Sequence, residues 1–166
     1  MDYQLKPISA EGIPEALQKA ERYRLINEPA QAESICHDIV AVDPDNQPAL
    51  ITLLLAITDQ FGQGGSAPRA RDVLLRIEGR YEQAYYGGII WERMARAQMR
   101  QGSPNSAFAA YESFRRAMES YEQAETHRPA GNDDAILRWN SCVRTLKQNQ
   151  TLRPRPDEAY EAVQGE

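Results

Sequence analysis

Residues 20–44 read AERYRLINEPAQAESICHDIVAVDP, and the punctuation of this stretch decides the class of fold. Asn27-Glu28-Pro29 sets a capping-type residue just ahead of a proline. A first helical turn tolerates proline, because the N–H it lacks would have had no intrahelical partner there. One helix therefore closes near residue 26 and a second opens at 29. Ala20 and Tyr23 stand on the first, Ala32 and Cys36 on the second, and Pro44 ends the pair. The same punctuation recurs at Asp45-Asn46-Gln47-Pro48, Ser66-Ala67-Pro68 and Ser103-Pro104, while Asn132-Asp133-Asp134 follows the break at Pro129-Ala130-Gly131. Strand signals are nearly absent, and apolar residues recur at three- and four-residue spacing. The chain is expected to be all-α, with seven helices near 13–26, 29–43, 47–61, 67–80, 84–101, 104–127 and 133–149.

Two further segments repeat the order of small and large residues. Trp91, Met94 and Ala95 precede Ala107 and Tyr111, and Ala20 to Ala32 and Ala95 to Ala107 are each twelve residues apart. A middle unit runs through Leu50, Leu53, Leu54 and Ile57, then Ala70 and Leu74, with extra residues at Gly62-Gln63-Gly64-Gly65. Ala32, Ala70 and Ala107 lie 38 and 37 residues apart, against a period of about 34 for tetratricopeptide repeats. The chain resembles that family over residues 13–149, as about three degenerate repeats with a last helix that closes the stack, its stripe formed by Ile136, Trp139, Val143 and Leu146 with Arg138, Arg144 and Lys147 outside it. The resemblance implies a right-handed superhelical stack of antiparallel helix pairs; weak periodicity at both ends and the prolines of Leu152-Arg153-Pro154-Arg155-Pro156 add the expectation of a loose segment at 1–12 and a flexible tail at 150–166. An ordinary helical bundle is the plain alternative.

Tetratricopeptide proteins hold peptides or partner domains in a groove lined by the first helix of each unit. By the family's register, the groove positions here are Leu17, Glu21, Arg24, Ile51, Leu55, Thr58, Glu92, Arg96 and Met99, with Asn140 and Arg144 on the last helix. Helix 47–61 is apolar almost all round, and surplus apolar surface has to be covered. Ile51 and Leu55 are therefore the leading contacts, unless the 61–68 loop or a tail folds over them. Arg96 and Arg144 suggest a ligand that adds a carboxylate to an apolar anchor. Leu17, Glu21 and Leu55 stand where a terminal-carboxylate clamp would need lysines and asparagines, which argues against a clamp of that kind. Length, charge and repeat number also resemble small secretion chaperones, although their aromatic-rich first repeat is not seen.

Composition narrows the classes of function. Hydrophobic residues form 42% and charged residues 26% of the 166 residues, a globular profile. Nineteen basic against 24 acidic side chains leave a net charge of -5, which disfavours nucleic acid as a partner. The apolar run 49–57 is about half the ~20 residues a membrane span needs. The amino terminus lacks a secretory pattern, so a cytoplasmic location is expected. Cys36 and Cys142 lack metal-type spacing and read as small core residues.

No cofactor, metal or enzymatic role is expected. Cys36-His37-Asp38 cannot converge on one atom, because successive helical residues point about 100° apart. Glu33 and His37 share a helix face but supply too few ligands for a metal. His127 has no second ligand near it in sequence, and the 62–65 glycines lack the strand and lysine of a phosphate loop. Helix 104–127 carries Tyr111, Phe114, Met118 and Tyr121 at helical spacing and overruns a normal repeat helix, so a homodimer through that helix is a further expectation.

Overall fold

The computed structural model describes residues 2–156. Among them are a 3-10 turn, Ala10–Gly12, and seven α-helices: α1 (Ile13–Leu25), α2 (Pro29–Val42), α3 (Gln47–Asp59), α4 (Ala67–Leu74), α5 (Arg80–Gln101), α6 (Pro104–Thr126) and α7 (Asp134–Gln148). No strand occurs among the described residues, and none of their helices is long and apolar enough to cross a membrane. The chain divides into two compact units, Met1–Glu78 and Gly79–Glu166.

The helix starts follow the expected chemistry with one exception. Asn46 Oδ1 accepts from the Ala49 N–H at 3.0 Å, and Ser66 Oγ from the Arg69 N–H at 3.3 Å. Ser103 and Ser106 form a reciprocal capping box ahead of α6. Asn27 is the exception, because it ends α1 instead of starting α2. It stands in the left-handed region at φ 61°. Its N–H donates to Arg24 O at 3.0 Å and the Glu28 N–H to Tyr23 O at 2.8 Å, the pair of bonds that closes a Schellman motif. Asparagine suits this position because its short polar side chain tolerates the left-handed conformation.

Helix α4 stops at Leu74, six residues before its expected end. Tertiary contacts take over the backbone there. The Gln47 amide donates to Arg76 O at 3.3 Å and accepts from the Glu78 N–H at 2.8 Å, while the Arg76 guanidinium reaches Pro44 O at 2.7 Å. Gly79, at φ 97°, then breaks the chain, and α5 begins at Arg80, four residues before its expected start.

In Met1–Glu78, Arg24 and Asp59 pair at 2.8 Å near the carboxyl ends of α1 and α3. Ile13, Ile39 and Ala49 cluster at the opposite ends. Helices α1 and α3 therefore run in the same direction, with α2 antiparallel and packed on both. Glu33 near the start of α2 binds Arg69 near the start of α4, so α4 repeats the direction of α2. Helix α3 lies at the centre, with Leu50, Leu53, Leu54, Ala56 and Ile57 buried against α1, α2 and α4. Each such leucine or isoleucine contributes roughly 1.5–3 kcal/mol by leaving water. At the amino end, Ile8 packs against the cluster around Ile13.

Gly79–Glu166 repeats the alternation. Gln98 and Ser113 meet at 2.8 Å, and Glu92 and Tyr121 at 2.7 Å, which sets α5 and α6 antiparallel. Tyr81 faces Asn132 and Arg96 faces Ser141, so α7 follows the direction of α5. Helices α5 and α6 lie close together at Gly88, where an added Cβ would stand 2.5 Å from the Tyr121 ring. Past α7, Leu152 is buried, and residues 157–166 of the expected tail lie outside the described residues.

Candidate functional site

The groove positions expected from the sequence divide between the two units. In Met1–Glu78, Leu17, Ile51 and Leu55 are half-buried and Glu21 is exposed. Arg24 is held by Asp59. Thr58 is buried, and its hydroxyl donates to Leu55 O at 2.9 Å. Leu17 on α1 packs against the cluster around Ile13, whereas Ile51 and Leu55 on α3 remain incompletely covered. The Phe61 side chain of the following loop is itself buried.

In Gly79–Glu166, Met99 and Asn140 are half-buried and Arg144 is exposed. Glu92 is fully buried and organises the site. Its Oε1 accepts from Arg96 Nε at 3.1 Å and Nη2 at 2.9 Å, and lies 3.5 Å from Arg138 Nη1. Its Oε2 accepts from the Tyr121 hydroxyl at 2.7 Å. One carboxylate therefore gathers three partner side chains, hydrogen-bonded Arg96 of α5 and Tyr121 of α6 and the ion-paired Arg138 of α7. Arg96 is steadied further by Ser141 Oγ at 3.4 Å and by the Phe114 ring, 5.8 Å from its guanidinium carbon. Arg138 also donates to the Tyr85 hydroxyl oxygen. Tyr85 stacks on Tyr81 at 5.5 Å and tilts against Tyr121 at 5.9 Å.

The electrostatics follow from this burial. Burial, and then the Glu92 charge, hold the Tyr121 hydroxyl well above the ordinary tyrosine value, so it stays a donor. Burial alone would lower Arg138, but the Glu92 carboxylate and the Tyr85 hydrogen bond outweigh it and the guanidinium is raised. Both cysteines are fully buried, and burial foremost pushes each thiol up to about 12. The arrangement offers fixed cationic donors at the surface and no activated thiol.

Three features differ from the sequence reading. The small-large pairs of α6 that are fully buried are Ala110 with Phe114 and Ala117 with Tyr121, whereas Ala107 and Tyr111 are half-buried, in keeping with the contact at Gly88 and the Tyr121–Glu92 bond, which fix the rotation of α6. Phe114 and Tyr121, half of the stripe on which a second subunit was expected, face this interior. On α7 the most buried residues are Ala135 and Cys142, whereas Ile136, Trp139, Val143 and Leu146 are half-buried. Arg138 lies between Ala135 and Cys142 on α7, and its long side chain reaches Glu92 on α5. Sequence reasoning had set Arg138 outside the buried stripe, and it did not connect Tyr85 or Tyr121 to the site. The one local signal was the Glu92–Arg96 pair at four-residue spacing. Comparison with protein-family models, with curated proteins and with solved structures finds no match to the chain.

Proposed function

We propose that the chain is a non-enzymatic interaction module of tetratricopeptide type that holds a peptide or partner protein against the side formed by its parallel helices. The observation that carries this reading is the alternation of helix directions within each unit. Helices α1 and α3 run together, as do α5 and α7, with an antiparallel helix behind each pair. Two-helix units that cannot bury their own apolar faces stack in this way, and the side made by the first helices of each pair is the one on which such stacks bind. Further support comes from Ile51 and Leu55, which stay half-buried although three helices pack around α3.

The test is substitution on that aliphatic set. Leu55→Glu is expected to abolish capture of a protein partner from lysate while far-UV circular dichroism stays at the wild-type level. Loss of helicity in the variant would place Leu55 in the core and overturn the proposal.

A further inference from the structure

Charge is unevenly distributed along the chain. Met1–Glu78 holds seven basic and twelve acidic side chains, whereas residues 79–156 hold twelve basic and eight acidic. Residues 157–166 add four more acidic side chains. The basic excess of the described second unit includes the cluster around Glu92, where two guanidiniums share one carboxylate. The side chains of Arg96 and Arg138 are 36% and 37% exposed, and that of Glu92 is 0% exposed. The carboxylate thus sits beneath the cations, holding them from below while both keep contact with solvent. Asp134, one turn before Arg138, is exposed and makes no ion pair with it among the described residues.

We infer that the outward edges of Arg96 and Arg138 form a receptor for an acidic side chain within a bound partner segment, with Glu92 as the positioning residue beneath them. This rests on the reading of the chain as a peptide- or protein-binding module. The guanidinium is a planar fork of donors suited to carboxylate oxygens, and anchoring each fork before the ligand arrives lowers the entropy lost on binding. Tyr85 lies half-buried beside Arg138, and Met99 half-buried one turn beyond Arg96. Partly exposed side chains thus lie to both sides of the pair along α5, and contacts beyond the carboxylate itself favour an internal aspartate or glutamate over a chain terminus.

The experiment follows the Nε–Hε resonances of Arg96 and Arg138 by NMR in the full chain. Four small probes are titrated: N-acetylglutamate amide, N-acetylglutamine amide, N-acetylleucine with its free carboxylate, and inorganic phosphate. The glutamate probe is expected to move both resonances saturably, and the glutamine probe to leave them in place. Arg138→Gln should weaken the effect about tenfold or more, as expected for losing one charged hydrogen-bonding partner, with circular dichroism unchanged. The wild-type titration decides the question even if that variant does not fold. Unmoved resonances, or an equal response to glutamine, would overturn the receptor. A stronger response to N-acetylleucine would assign the pair to a chain terminus, and a stronger response to phosphate would assign it to phosphorylated or nucleic-acid ligands; either overturns the inference. Failure here with Leu55-dependent capture intact removes the acidic contact alone, whereas loss of both removes the binding reading as well.

Discussion

At the depth where Met1–Glu78 places Leu50, Leu53 and Leu54 of α3, Gly79–Glu166 places the Glu92 carboxylate among Arg96, Arg138 and Tyr121. The two units share an alternation of helix directions and differ in what fills it. Aliphatic packing rewards volume and is indifferent to small rotations, whereas a buried carboxylate is satisfied only when each donor arrives at a particular place. The first unit should accordingly lose stability in proportion to deleted volume, and the second should respond to the loss of single polar atoms.

Leu54→Ala gives the largest expected effect, a loss of about 3–4 kcal/mol in denaturant unfolding, since it deletes fully buried volume at the centre of α3. A loss below about 1 kcal/mol would show that the α3 site collapses freely, and would remove half of the contrast. Gly88→Ala comes next, at about 2 kcal/mol. The Tyr121 ring that the new methyl would meet cannot swing away without releasing Glu92. Wild-type stability in this variant would mean that α5 and α6 slide past one another.

Tyr121→Phe keeps the ring and removes only the hydroxyl, so about 1–2 kcal/mol should be lost from a charge-assisted bond. Its value lies in the comparison with a one-carbon deletion in the α3 core such as Ile57→Val, which should cost about 0.5–1.5 kcal/mol.

Glu33 gives the smallest effect and a pH signature. Burial would raise its pKa, but hydrogen bonds from Gln60 and Arg69 and the Arg69 charge outweigh that and hold it below the ordinary 4.5. The folded value is lowered, so its stabilising contribution is complete above the unfolded value and is lost as pH falls through the folded one. Glu33→Gln should lower stability by less than about 1 kcal/mol at neutral pH and flatten the acid limb of a stability–pH profile. An unchanged acid limb would show that the contacts of Glu33 do not favour its charged form.

Most of the helix pattern is legible in the sequence, because prolines and their capping neighbours act within a single turn. Asn46, Ser66 and Ser103 mark starts by local bonds to backbone N–H groups. The end of α4 is illegible for the opposite reason, since Gln47 captures Arg76 and Glu78 from 29 and 31 residues away. The candidate site follows the same division. Glu92 and Arg96 sit four apart on one helix and can be paired by inspection, but Arg138 lies 46 residues beyond Glu92 and reaches it only through the tertiary packing of α7. Helical periodicity assigned α7 a large-residue stripe, and contact with α5 and α6 selected a small-residue one.

The burial of both native cysteines has a practical outcome for labelling. With their thiols protonated and sealed from solvent, Cys36 and Cys142 should stay silent toward maleimide reagents at neutral pH. A cysteine introduced at the exposed Arg144 position would then take a fluorophore alone. Docking of a partner on the second unit could be followed optically on an otherwise wild-type chain.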